Sequence, residues 1–189
     1  MHLGIDYGSK LAGTTAICYQ DGNELIVIQS EKKKDADKFI EFNVATLNPA
    51  QVFIDAPLSL PGAYFGKGDD YFYRACDREL KAMSPMFLGG LTARAIKLTE
   101  KFKQMGVECY ESYPAAFVKD REAMVKDYNK KSMMSNSFVK TLENLIGLKV
   151  SSQNTWHQID AVICWFIGKR YLEGEGKVIG DKAEGQILF

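Results

Sequence analysis

The sequence predicts an α/β domain built on a mixed five-stranded sheet flanked by helices, and three observations predict it. The first is the opening order: residues 2–7, 13–20 and 24–30 read as strands, with Asp21-Gly22-Asn23 supplying the turn between the second and third, so an antiparallel meander starts the fold. The second is that later strands alternate with helices, the order that parallel pairing requires. The third is the continuous apolar character of Leu3 to Ile5 and of Val52 to Ile54, which marks central strands covered on both faces.

Taken in order, the elements after the meander are as follows. Asp35 to Leu47 has helical spacing, with Phe39, Ile40, Val44 and Leu47 apolar and Asp35 placed to cap it. The strand ending at Asp55 follows. Residues 60–90, richer in Gly, Tyr and Arg, interrupt the pattern and read as an insertion facing substrate. Leu91 to Met105 resumes as an amphipathic helix stopped by Gly106, and residues 107–114 form a fifth strand closed by Pro114. Residues 115–147 are predominantly helical with a break near Asn129 to Asn136, and a last helix runs from Trp156 to Leu172. Apolar side chains surround nearly its whole circumference, so it is buried. The tail after Gly174 and Gly176 has the length of a small hairpin packing back on the sheet.

At 189 residues and 46% hydrophobic content, the chain suits one well-cored domain, 1–189, and is too short for two. Its 24 basic and 24 acidic residues balance, so no global field announces a polyanionic partner. The balance is uneven along the chain: residues 1–59 carry five bases and eight acids, whereas residues 60–150 carry fifteen and eleven. Phosphate contacts therefore belong to the middle, although solvated helix faces account for the same excess. Cys18, Cys76, Cys109 and Cys164 are far apart with no CxxC pair, and read as buried thiols of a reducing compartment. No leader or membrane-length apolar run is present, and the expected location is cytoplasmic.

The chemistry rests on carboxylates at the ends of apolar runs. Asp6 follows Leu3 to Ile5, and Asp55 follows Val52 to Ile54. A charge on a doubly covered strand is costly without a partner. Asp160 is the one acid of the last helix and shares a stripe with His157 and with Ala161, Cys164 and Gly168, three residues small enough to let a sheet approach. Parallel pairing of the two apolar strands would bring Asp6 and Asp55 to one end, with Asp160 closing the cluster from above. Clustered carboxylates raise one another's pKa and become favourable by holding a hard divalent cation, magnesium or manganese. Two such ions roughly 4 Å apart hydrolyse a phosphodiester with no nucleophilic side chain. No Walker lysine loop, GxSxG or HExxH competes with this reading.

The order of elements resembles the ribonuclease H-like fold, and IDYGSKLAG resembles the opening of its RuvC and YqgF branch. IDAPLSLP, YRACDREL, ESYPAA and HQIDAVICWF together resemble the DUF429 family, described as predicted nucleases of that fold, over essentially the whole chain. The resemblance implies a metal-dependent nuclease acting on DNA or RNA, with Asp6 bridging two metals, Asp55 and Asp160 each ligating one, and His157 as a polar partner beside them. His157 reads equally as a residue bonding backbone at a helix start. Glu111 is either a supporting acid or an ordinary strand-end residue. In the insertion, Arg74 and Arg78 lie one helical turn apart, spaced to clamp a phosphate or to pair with Asp77 and the carboxylates. Lys10, after the first strand, could neutralise a phosphate or simply be solvated.

Two other readings remain open at this stage. DYGSKLAGTT also resembles the phosphate-binding hairpin of actin and the sugar kinases, but those proteins repeat the fold in two lobes. A single lobe would need a homodimer closing around nucleotide. The alternative is an idle scaffold binding nucleic acid or protein, against which the three buried acids argue. The further acid that ribonucleases H carry on the first helix after the meander has no clear counterpart, with Asp35 and Glu41 only nearby.

Overall fold

In the computed structural model of the chain, the described residues are 1–132, 134–151 and 154–189, without the side chain of residue 123. Strands β1 (His2–Asp6), β2 (Ala16–Asp21) and β3 (Glu24–Gln29) form the antiparallel meander. Helix α1 (Ala36–Leu47) leads to β4 (Gln51–Asp55), which pairs in parallel with β1, and β5 (Glu108–Ser112) pairs in parallel with β4. These five strands lie in the order β3-β2-β1-β4-β5, a mixed sheet flanked by helices.

The sheet is wider than the five strands expected. Residues Lys149–Val150 (β6) extend it beyond β3, and the tail contributes β7 (Val178–Asp181) and β8 (Gly185–Leu188) beyond β5. The tail hairpin therefore joins the sheet edge in plane, because β5 would otherwise leave its outer backbone groups unpaired. The second strand begins at Ala16 instead of residue 13, since Gly13 turns the chain at a φ of 71°.

The insertion holds a 3-10 turn (Gly62–Phe65) and two short helices, α2 (Ala75–Leu80) and α3 (Pro85–Leu88). Glu184, in the turn between β7 and β8, binds it to the sheet by accepting from the amides of Gly62 (2.8 Å) and Ala75 (2.9 Å). Helix α4 (Gly90–Gln104) follows, then α5 (Pro114–Lys119), α6 (Glu122–Val125) and α7 (Asn136–Ile146). The segment expected to be broken near Asn129 to Asn136 does separate α6 from α7, and Met133 within it lies outside the described residues.

Side-chain alternation divides the core between the two faces of the sheet. Leu3, Ile5, Val52 and Ile54 pack against α1 and α4, where Ile40, Val44, Ala95, Leu98 and Phe102 are buried. The opposite face carries Ala16, Cys18 and Phe53 against α8 (Trp156–Leu172), whose residues from Gln158 to Gly168 are all buried. A capping box starts α8: Thr155 Oγ1 accepts from the Gln158 amide, and Gln158 Oε1 accepts from the Thr155 amide.

The approach of α8 to the sheet depends on Gly4. A Cβ there would stand 2.1 Å from the amide nitrogen of Trp165 and 2.3 Å from the carbonyl oxygen of Ala161, backbone atoms that cannot swing aside. Gly4→Ala is therefore expected to cost about 3 kcal/mol, the upper part of the overpacking range. Chemical denaturation would show this as a lowered midpoint at unchanged slope.

Candidate metal centre

Because β1 and β4 are parallel neighbours in register, Asp6 stands directly opposite Asp55 at the carboxyl ends of both strands. Alternation sends Leu3 and Ile5 to the α1 face, so Gly4 and Asp6, and likewise Phe53 and Asp55, turn toward α8. Asp160 comes down from α8 onto the pair. One carboxylate oxygen from each of Asp6, Asp55 and Asp160 can be chosen such that all lie within 4.8 Å of one another.

The three acids are held differently. Asp6 Oδ2 is 2.6 Å from Nδ1 of His157, which sits on the first turn of α8. That hydrogen bond, acting against partial burial, raises the imidazole pKa above its ordinary value and favours the imidazolium form. Asp160, 1% exposed, accepts from the Tyr128 hydroxyl at 2.6 Å on one oxygen and pairs through the other with the Lys130 ammonium. Burial and the nearby Asp6 charge still push its carboxyl up to about 6. Asp55 is pushed well up by burial and by the charges of Asp6 and Asp160. Among the described residues its carboxylate has no hydrogen-bond or ion-pair partner.

Glu111 lies beside this cluster without joining it. It is 7% exposed, one strand over from Asp55, and is bound by Arg74 and by the Leu58 amide (2.9 Å). Arg74 is the N-cap residue of α2 and is 0% exposed, and all five of its guanidinium donors are taken. Nε and Nη2 reach Asp77 at 3.0 and 2.6 Å, Nη1 and Nη2 each reach Glu111 at 2.7 Å, and Nη1 reaches Ser59 at 2.8 Å. Burial opposes the charge, yet the hydrogen bonds to Glu111 and Asp77 hold the guanidinium pKa above its ordinary value. The clamp expected of Arg74 closes on carboxylates, and no donor is left for a phosphate. This corrects the substrate-binding expectation for that residue.

Arg78 turns outward and does not join the buried Arg74 at Asp77 or the carboxylates. It is exposed, bonded through Nε to Asp70 at 2.7 Å, with its guanidinium carbon 4.4 Å from the centre of the Tyr73 ring. Lys10 is drawn elsewhere too. Its ammonium lies 3.2 Å from Asp35, the N-cap of α1, and it lines a separate groove with Arg94 and Lys97. In the same loop the Gly8 amide donates to Thr15 Oγ1, the Ala12 amide to Ser9 O and the Thr15 amide to Ser30 Oγ. These three donors are taken within the protein.

Tyr128 and Lys130 were not legible as site residues. They lie between α6 and α7, where no periodicity marks a facing direction. The only available signal was indirect: a buried acid at position 160 requires a cation, and the KDYNKKS stretch carries lysines free of any helical face.

A cavity of ≈ 510 Å³ opens beside the cluster. Asp6, Asp55, Tyr128 and Lys130 contribute to its lining, as do the apolar Ala82, Met83, Leu88 and Leu91. Fold and site together define an α/β protein with a mixed sheet, an antiparallel meander followed by parallel strands, and an aspartate cluster at the carboxyl ends of its two central parallel strands. Among solved structures, a Thermus thermophilus RuvC is similar at 15% identity and a TM-score of 0.47, covering 92% of this chain and 96% of that one. No protein-family profile and no curated protein matches the chain, so the DUF429 resemblance stands on its motifs alone. Among the described residues, no helix is long and apolar enough to cross a membrane.

Proposed function

We propose that the chain is a divalent-metal-dependent nuclease, with Asp6, Asp55 and Asp160 as ligands for magnesium or manganese. The observation that carries this reading is Asp55, a half-buried carboxylate with two more within 4.8 Å and, among the described residues, no cation bonded to it. An all-oxygen donor set of this charge suits a hard divalent ion. When bound, such an ion supplies positive charge for a phosphodiester and lowers the pKa of water.

The chain's own residues do the rest. His157 fixes the orientation of Asp6 through a 2.6 Å hydrogen bond between Nδ1 and Oδ2. Tyr128 and Lys130 perform the same service for Asp160. The Lys130 ammonium also faces the cavity, where it can meet a phosphate oxygen. In hydrolysis the oxygen of water bonds to phosphorus as the bond to the leaving ester oxygen breaks. The proton released from water passes to solvent or to the leaving oxygen. Nucleic acid is the partner this chemistry selects. The DUF429 resemblance and a cytoplasmic setting agree with it.

The test is manganese binding, followed by electron paramagnetic resonance, in the wild type and in Asp6→Asn, alongside cleavage of single-stranded and duplex oligonucleotides. The expected result is stoichiometric binding with metal-dependent cleavage in the wild type, and loss of both in the variant. Binding that survives in Asp6→Asn would remove the cluster from the mechanism.

Lys130 makes a second quantity predictable. Its side chain is 49% exposed, so its repulsion of an incoming divalent ion is partly screened, to about 1 kcal/mol. Lys130→Met is expected to tighten manganese binding about fivefold by calorimetry, while lowering the stability of the metal-free protein. Weaker binding in Lys130→Met would show that the ammonium supports the ion.

A further inference from the structure

The proposed nuclease reading leaves the insertion without a role, and its surface is unusual. Phe72 is 54% exposed and Phe87 66%, with ring centres 5.7 Å apart. Tyr73 meets Phe87 edge-on at 5.9 Å, and the Arg78 guanidinium lies over Tyr73. Three rings and a cation thus form a continuous ladder that packs on itself and stays in water. Large apolar rings left exposed as a group mark a binding surface.

The ladder is continuous along the chain with residues that line the cavity of the metal centre. Phe87 directly precedes Leu88, which lines that cavity together with Ala82 and Met83 of the same insertion. The lining therefore combines carboxylates and a lysine with apolar side chains. Its ≈ 510 Å³ lies within the size range of small-molecule sites. A duplex presents its phosphates to such a pocket but keeps its bases stacked, leaving the apolar part of the lining without an occupant. An unpaired nucleotide engages both kinds of group, its phosphate meeting the lysine and metal ligands and its base the apolar residues such as Met83 and Leu88.

Resting on the nuclease reading, we infer that the substrate is single-stranded nucleic acid, with one unpaired nucleotide seated in the cavity and its neighbours stacked on Phe87 and Phe72. Base stacking on aromatic side chains is sequence-tolerant and is worth a five- to hundred-fold change, roughly, per ring removed. Arg78 at the end of the ladder supplies the cation such platforms use.

The test is fluorescence anisotropy of labelled oligothymidylate and oligouridylate against a hairpin duplex of equal length, with calcium in place of manganese. The proteins are the wild type, Phe72→Ala/Phe87→Ala, and Met83→Trp, which narrows the cavity mouth. The wild type is expected to bind at least one of the single strands about tenfold or more tighter than the duplex. For that strand the double variant should lose about 25-fold or more and Met83→Trp about tenfold, and both should keep the wild-type circular dichroism and the thermal shift induced by manganese. Equal or tighter duplex binding by the wild type, or unchanged strand affinity in the double variant, overturns the inference. If manganese still stabilises the wild type in that case, only the substrate assignment falls. Absence of any manganese response instead removes the metal-dependent reading, and the anisotropy still decides whether the rings bind a strand.

Discussion

Replacing Arg74 with alanine is expected to remove a large part of the stability of the domain. The change leaves Asp77 and Glu111, 1% and 7% exposed, without the cation that both share. Breaking a buried ion pair from one side costs about 3–5 kcal/mol, against a total of roughly 5–15 kcal/mol for a typical domain. Urea unfolding should show a midpoint lowered accordingly, or a chain that no longer folds. Arg74→Lys should recover only a fraction, because an ammonium cannot reproduce five directed donors. The triple variant Arg74→Met/Asp77→Asn/Glu111→Gln should recover more than Arg74→Lys, since it removes the stranded charges as well. An Arg74→Ala midpoint equal to the wild type would show that the network contributes nothing, and would reopen the search for a phosphate ligand at that residue.

Replacing Asp55 with asparagine should have the opposite sign in the absence of metal. Asp55 is held well above the carboxylate range in the folded protein, and Asp160 is pushed to about 6. A carboxyl with a raised folded pKa is neutral in both states at low pH and costs nothing there. As pH rises past the unfolded value near 4, the unfolded chain releases a proton that the folded protein keeps, so stability falls until the folded group ionises too. The metal-free wild type should therefore lose stability between about pH 4 and neutrality. Asp55→Asn should lose less, and be more stable than the wild type at pH 7 by on the order of 1–2 kcal/mol.

Divalent ions reverse this ranking if they bind the cluster. Saturating manganese should raise the melting temperature of the wild type and flatten its pH dependence, yet leave Asp55→Asn nearly unmoved. Turnover should disappear in the variant. An Asp55→Asn protein less stable than the wild type without metal would mean that the carboxylate has a stabilising partner, and that the cluster is a structural network.

These two residues show where sequence reading succeeds and where it stops. Asp55 could be read from its place at the end of an apolar run, because an uninterrupted Val-Phe-Ile segment implies a central strand and an acid there is out of place. Asp6 followed from the same pattern and Asp160 from its isolation in an otherwise apolar helix. Arg74 carried no such mark. The spacing of Arg74 and Arg78 suggested a shared helical face, whereas Arg74 precedes α2 as its cap and turns inward while Arg78 turns out. A capping residue does not follow the helical period, so spacing cannot give its direction.

Local patterns determined the meander, the helix capped by Asp35, the two acid-bearing strands and the buried final helix, because period and turn chemistry are properties of neighbouring residues. Only the tertiary structure decided that the tail hairpin and residues 149–150 would widen the sheet to eight strands. Which cation meets which acid was likewise beyond the sequence. Arg74 reaches Glu111 across 37 positions, Lys130 reaches Asp160 across 30, and His157 reaches Asp6 across 151. Such pairs are chosen by where the folded backbone delivers each side chain, and a buried acid announces its need for a partner without naming it.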